Sequence, residues 1–155
     1  MKLKKIVLII VGILFLIQFI RIDETNLKID EGKDFYSDTN IPEDIRLIVK
    51  RSCYDCHSNE TIYPWYANVA PISWWIKGHV NDARKSINFS EWGNYSNEEK
   101  ARKLMNSVAY IKPDQMPLSS YVSQHPEAKL TTKNKKVLMD WMKEEAEKLN
   151  PNLKK

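Results

Sequence analysis

The chain has 155 residues, 43% of them hydrophobic and 28% charged, a composition that fits one globular domain with a real core and excludes a disordered chain. Its formal charge of +4 sits at the front: Lys2, Lys4, Lys5 and Arg21 precede every acidic residue, and the 20 acids that follow face 20 remaining bases. The neutral domain behind that basic front argues against nucleic acid as a partner.

The first element is the apolar run IVLIIVGILFLIQFI from Ile6 to Ile20, with lysines ahead of it and Arg21-Ile22-Asp23 behind. A run of this length is a secretory core region or a short membrane span. Cleavage requires small residues near its end, where this chain has Leu16, Ile17, Gln18, Phe19 and Ile20. Apolar character on every face disfavours a buried core helix. Residues 1–21 are therefore expected to form an uncleaved transmembrane signal anchor, with a cleaved signal peptide as the alternative. The leading lysines favour the cytoplasmic side. The expected placement is a single-pass anchor in the cytoplasmic membrane, with the domain facing the periplasm or cell exterior.

Residues 22–40 are polar and lack an apolar period, so they read as a linker ahead of a domain over 41–150. Pro42 suits the first turn of a helix, with Glu43 and Asp44 at the positive end of its dipole. Ile45, Ile48 and Val49 give that helix an apolar stripe. It leads into Cys53-Tyr54-Asp55-Cys56-His57, the C-x-x-C-H pattern that attaches a c-type haem. Two thiols at this spacing reach two vinyl groups of one porphyrin, and the adjoining imidazole stands over the iron. Cys53 and Cys56 are thus candidate thioether attachments and His57 the candidate proximal ligand of one covalent haem c. Such attachment takes place on the outer side of the bacterial inner membrane, in agreement with the expected orientation. A zinc site would need four ligands, and beyond the motif only His79 and His125 remain, with no second paired motif. A thioredoxin-like pair would want a βαβ context, and a Cys53–Cys56 disulfide would leave His57 unexplained.

After the motif, Tyr63-Pro64-Trp65-Tyr66 is an aromatic loop that no helix crosses at its proline. Trp65 and Tyr66 are candidates to wall a porphyrin edge or bond a propionate, against ordinary loop packing. A second helix is expected from Pro71 to about Ile87, with Ile72, Trp75, Ile76, His79, Val80, Ala83 and Ile87 on its buried face. His79 on that face is a fallback sixth ligand, and Arg84 a candidate propionate partner or a solvated arginine. Asn88 to Tyr95 reads as a loop. Ser96-Asn97-Glu98-Glu99 is a capping box that opens a helix with Ala101, Leu104, Met105 and Val108 inward, ending before Pro113.

Met116 then lies between Pro113 and Pro117, in a backbone the prolines stiffen. A thioether binds iron weakly and needs such presentation, so Met116 is the expected distal ligand; a loop methionine covering the core is the alternative. His125 is a further fallback. The last helix is expected from Thr131-Thr132 to about Leu149, with Val137, Leu138, Trp141, Met142 and Glu145 inward, followed by a disordered tail over 151–155.

Together the motif with Ser58-Asn59-Glu60-Thr61, then Tyr63-Pro64-Trp65-Tyr66, Ala70-Pro71, Ser73-Trp74, Arg84, Asn88-Phe89-Ser90-Glu91-Trp92 and Met116-Pro117 resemble the bacterial haem-binding domain family of cytochrome c type. The resemblance covers about residues 40 to 148; the chain departs from it at Ala83, where relatives often carry glycine. It implies a small all-α, cytochrome c-like domain around one covalent haem, with His57 proximal and Met116 distal. The expected role is single-electron transfer between redox protein partners, not catalysis of a peroxidase-like kind, since His/Met ligation leaves no open site. The alternatives are a haem enzyme or gas sensor with a labile distal ligand, and a haem-carrying subunit of a larger membrane complex.

Overall fold

The computed structural model describes residues 2–154, and among them there are six α-helices and no strand. In chain order these are α1 (Lys2–Ile17), α2 (Glu43–His57), α3 (Ile72–Ser86), α4 (Asn97–Ile111), α5 (Ser119–Gln124) and α6 (Thr132–Leu149). The all-helical expectation holds. Short 3-10 turns fill the connections at Trp65–Asn68, Phe89–Asn94, Pro126–Ala128 and Pro151–Lys154. The last lies within the stretch 151–155 expected as a tail, of which Lys155 lies outside the described residues.

Local chemistry sets the helix starts. At α4 the Ser96 hydroxyl accepts from the Glu99 amide while the Glu99 carboxylate accepts from the Ser96 amide, so two free donors are satisfied reciprocally. At α6 the Thr131 hydroxyl accepts from the Asn134 amide. α4 and α6 lie side by side and interlock Ala101, Leu104, Val108 and Ile111 with Leu138, Met142 and Ala146, all buried. Met105 faces outward, contrary to its expected inward place, because it follows Leu104 by one residue and so falls about 100° round the helix.

α2 lays Ile45, Ile48, Val49 and Tyr54 against the same core. Phe89 and Trp92, expected in a loop, are fully inside it: the Asn88 side chain accepts from the Ser90 amide and starts a 3-10 turn that folds both rings inward. The polar stretch expected to be a linker also contributes. Phe35 is completely buried, edge-on to Phe89, Trp92 and Trp141 at 5.0, 5.2 and 5.9 Å between centroids. Burial of a phenyl ring is worth about 1.5–3 kcal/mol, and edge-on aromatic pairs add about 0.5–1.5 kcal/mol each.

The expected membrane-spanning signal anchor over residues 1–21 is corrected. Among the described residues, no helix is long and apolar enough to cross a membrane, and the placement in the cytoplasmic membrane facing the periplasm falls with it. α1 has 16 residues, of which the first turn holds Lys2, Lys4 and Lys5. At 1.5 Å per residue it reaches about 24 Å, short of a hydrocarbon core of about 30 Å. The run keeps its apolar character to Ile20 but not its helix. Gln18, Phe19 and Ile20 make bonds three residues back, and the Gln18 side chain then donates to the Ala70 carbonyl and accepts from the Ala70 amide. From there the chain runs along the domain. Ile20 O accepts from the Trp74 indole, the Asn26 amide side chain donates to Thr61 O, and the Phe35 amide donates to Phe89 O. At its end Gly93 approaches so closely that a Cβ there would meet Lys33 Cα at 2.9 Å.

Candidate functional site: the end of α2 and its cavity

The motif occupies the last turn of α2, where Cys53 and Cys56 stand three residues apart on one side of the helix. Both are free thiols. Burial, with Cys56 beside it, pushes the Cys53 thiol up to about 12, so it holds its proton at neutral pH. Burial and the adjacent Asp55 carboxylate push Cys56 up to about 11 against the opposing pull of Arg84. Tyr54, between them, points the other way: it is buried, stacks on Phe89 at 5.7 Å, and donates its hydroxyl to the Asp34 carboxylate at 3.1 Å.

His57 closes the helix. Its Nδ1 lies 3.1 Å from Ala83 O and 3.1 Å from Ile87 O at the end of α3. Two carbonyls can only accept, so Nδ1 carries the proton and Nε2 keeps its lone pair. Burial pulls the imidazole below its ordinary value and outweighs those carbonyl bonds, which keeps the ring neutral. Residues 58–61 then fold back on the helix end. Ser58 Oγ donates to Tyr54 O and Thr61 Oγ1 to Asp55 O, both at 2.7 Å, and Asn88 Nδ2 donates to Asn59 Oδ1 at 2.9 Å.

Beside this turn lies a largely apolar cavity of about 320 Å³. Cys56 and Asp55 lie at its wall, the loop from Thr61 to Tyr66 forms another side, and α3 contributes Ile72, Trp75, Ile76, His79 and Val80. Across from them come Leu118, Tyr121 and His125, on and around α5. The stripe of α3 that periodicity assigns to the core therefore splits. Val80 is buried, whereas Ile72 and Trp75 remain about half exposed at the cavity.

The expected site residues are only partly brought together. Cys56 and Tyr66 line the cavity, while Cys53 and Met116 pack against the hydrophobic core and His57 is not among the lining residues. Trp65 is 80% exposed and does not line this space. Arg84 is engaged elsewhere: Nε donates to Ser58 O at 2.8 Å and a terminal nitrogen to Asn26 Oδ1 and Thr61 Oγ1 at 2.9 and 3.0 Å. It clamps the segment after the motif. The two fallback histidines both line the cavity; His79 Nδ1 lies 2.9 Å from Trp75 O, and His125 Nε2 lies 3.4 Å from the Tyr66 hydroxyl.

Sequence reasoning missed Asp55 and Tyr121, whose hydroxyl donates to the Asp55 carboxylate at 2.6 Å across 66 residues of chain. No local pattern signals such a pair. Among the described residues no cluster of three or more His, Cys, Asp or Glu side chains is placed to hold a bare metal ion.

The donor set fits a porphyrin. It offers two protonated free thiols one turn apart, a neutral imidazole with its outer nitrogen tied, and an apolar cavity in the size range of cofactor sites. Fold and site together define a small all-helical domain with a largely apolar cavity beside the end of one helix. A family model described as a haem-binding domain matches residues 12–144, and the chain belongs to that family. No curated protein and no solved structure matches the chain.

Proposed function

We propose that this chain is a monohaem protein of cytochrome c type, with haem attached through Cys53 and Cys56 and His57 as the proximal iron ligand, and that it carries single electrons between redox protein partners. The observation that carries the reading is the tying of His57 Nδ1 to Ala83 O and Ile87 O, which leaves the Nε2 lone pair available on the helix turn that carries two free thiols. Haem iron held by an imidazole and a thioether exchanges one electron without needing an open coordination position. The chain's own part is to orient the imidazole, keep it neutral, and surround the macrocycle with apolar side chains that exclude water. Met116 is the proposed distal ligand; its support is the loop between Pro113 and Pro117, and Leu118, two residues on, lines the cavity.

A pyridine haemochrome spectrum tests attachment directly, and a product without covalent haem removes the reading. In the oxidised protein a weak far-red sulfur-to-iron band is expected, and Met116→Ala should abolish it. The presence of His79 and His125 on the cavity wall favours one second reading, a haem enzyme or gas sensor. Rapid binding of carbon monoxide to the ferrous wild type would favour that reading over the electron carrier.

A further inference from the structure

The two helical walls of the cavity differ in how they are held. α5 has six residues, none of them fully buried, too few for its own hydrogen bonds to hold it in place. Two side-chain contacts to other elements fasten it instead, steadied by one ring stack within the segment. The Tyr121 hydroxyl donates to Asp55 Oδ2 at 2.6 Å, the Tyr121 and His125 rings stack at 4.4 Å and 19°, and His125 Nε2 reaches the Tyr66 hydroxyl at 3.4 Å. Asp55 adjoins Cys56 in the motif, so the strongest of these contacts ties the short wall to the helix turn that carries the thiols. Burial and the Asp55 carboxylate both push the Tyr121 hydroxyl up, so it remains a donor throughout the neutral range.

We propose that Tyr121, through its bond to Asp55, is a positioning residue that latches α5 as the closed wall of the haem cavity and so controls how fast a small external ligand reaches the iron. This rests on haem attachment at Cys53 and Cys56, with the entering ligand taking the coordination position proposed for Met116 as that thioether leaves the iron. Loss of a hydrogen bond to a charged acceptor shifts an open–closed equilibrium by about ten- to a hundredfold, and ligand entry through the open form accelerates in proportion.

The test uses the full haem-loaded chain in the ferric state, mixed with imidazole and followed by its absorption spectrum. Tyr121→Phe and Asp55→Ala are expected to bind at least about tenfold faster than wild type. Asp55→Asn, which keeps an acceptor for the hydroxyl, is expected to stay within about threefold. A pyridine haemochrome spectrum on each sample separates the two levels of the argument. A wild type without covalent haem defeats the functional reading, whereas a loaded Tyr121→Phe that binds imidazole at the wild-type rate overturns the latch alone. Equal acceleration in Asp55→Asn and Asp55→Ala also overturns it. Should Tyr121→Phe not load, amide exchange on the haem-free full chain decides: faster exchange confined to 119–124 supports the latch, and unchanged or uniformly faster exchange overturns it.

Discussion

α3 and α5 face the same cavity, yet one is built into the domain and the other is pinned onto it. α3 runs for 15 residues, buries Ser73 and Val80, caps the His57 ring with its last carbonyls, and is clamped through Arg84 to Ser58, Asn26 and Thr61. α5 runs for six, buries none of them, and depends on the polar pairs of Tyr121 and His125. A wall held by packing yields only when the domain unfolds, whereas a wall held by one or two polar pairs opens locally. Substitutions on the two walls should therefore separate global stability from local access.

The largest effect is expected from Arg84→Ala, which strips three bonds from the α3 side and should lower unfolding stability by about 3 kcal/mol. Urea denaturation checks it, and a loss no greater than that of a surface lysine would remove the asymmetry. Val80→Ala on the same wall should cost about 2 kcal/mol by the same measurement, through lost burial and a small cavity. Next comes pH. In the haem-free chain burial holds the His57 imidazole below its ordinary 6.5, so the unfolded chain binds this proton first. Stability should then be fully present above 6.5 and decline as pH falls from there toward the folded value, by at most about 1.4 kcal/mol per pH unit. Urea titrations at neutral and mildly acidic pH should show this decline in wild type and not in His57→Phe. The smallest effect is expected from Tyr121→Phe, under about 1 kcal/mol on global unfolding, because its bond closes a segment that opens by itself. A global loss as large as that of Arg84→Ala would mean the two walls are held alike.

What the sequence made legible was what local chemistry decides. The motif led to the expectation of haem, with which the haem-binding family match agrees, and Ser96-Glu99 and Thr131 marked helix starts by capping chemistry. What depends on distant partners was not legible. Periodicity identified the apolar face of α3 but not that half of it meets a cavity instead of packed core. A six-residue helix is too short to show a period, so nothing in the sequence marks α5 or Tyr121. The apolar run to Ile20 predicted a membrane span; the helix ends at Ile17, where Gln18 bonds to Ala70, a residue far along the chain.

Phe35 sat in a stretch whose composition said linker, and a single ring among polar neighbours gives no pattern to read. Its place among Phe89, Trp92 and Trp141 bears on where this domain can be cut. A fragment beginning at residue 41 would leave three aromatic rings around a phenyl-sized void and leave Tyr54, within the C-x-x-C-H motif itself, without Asp34 to receive its hydroxyl. Thermal melting of fragments begun at residues 30 and 41 distinguishes the two cut points, with the longer one expected to melt higher. A fragment that keeps these contacts starts ahead of Lys33, so a stretch that looks like spacer closes the core behind the motif.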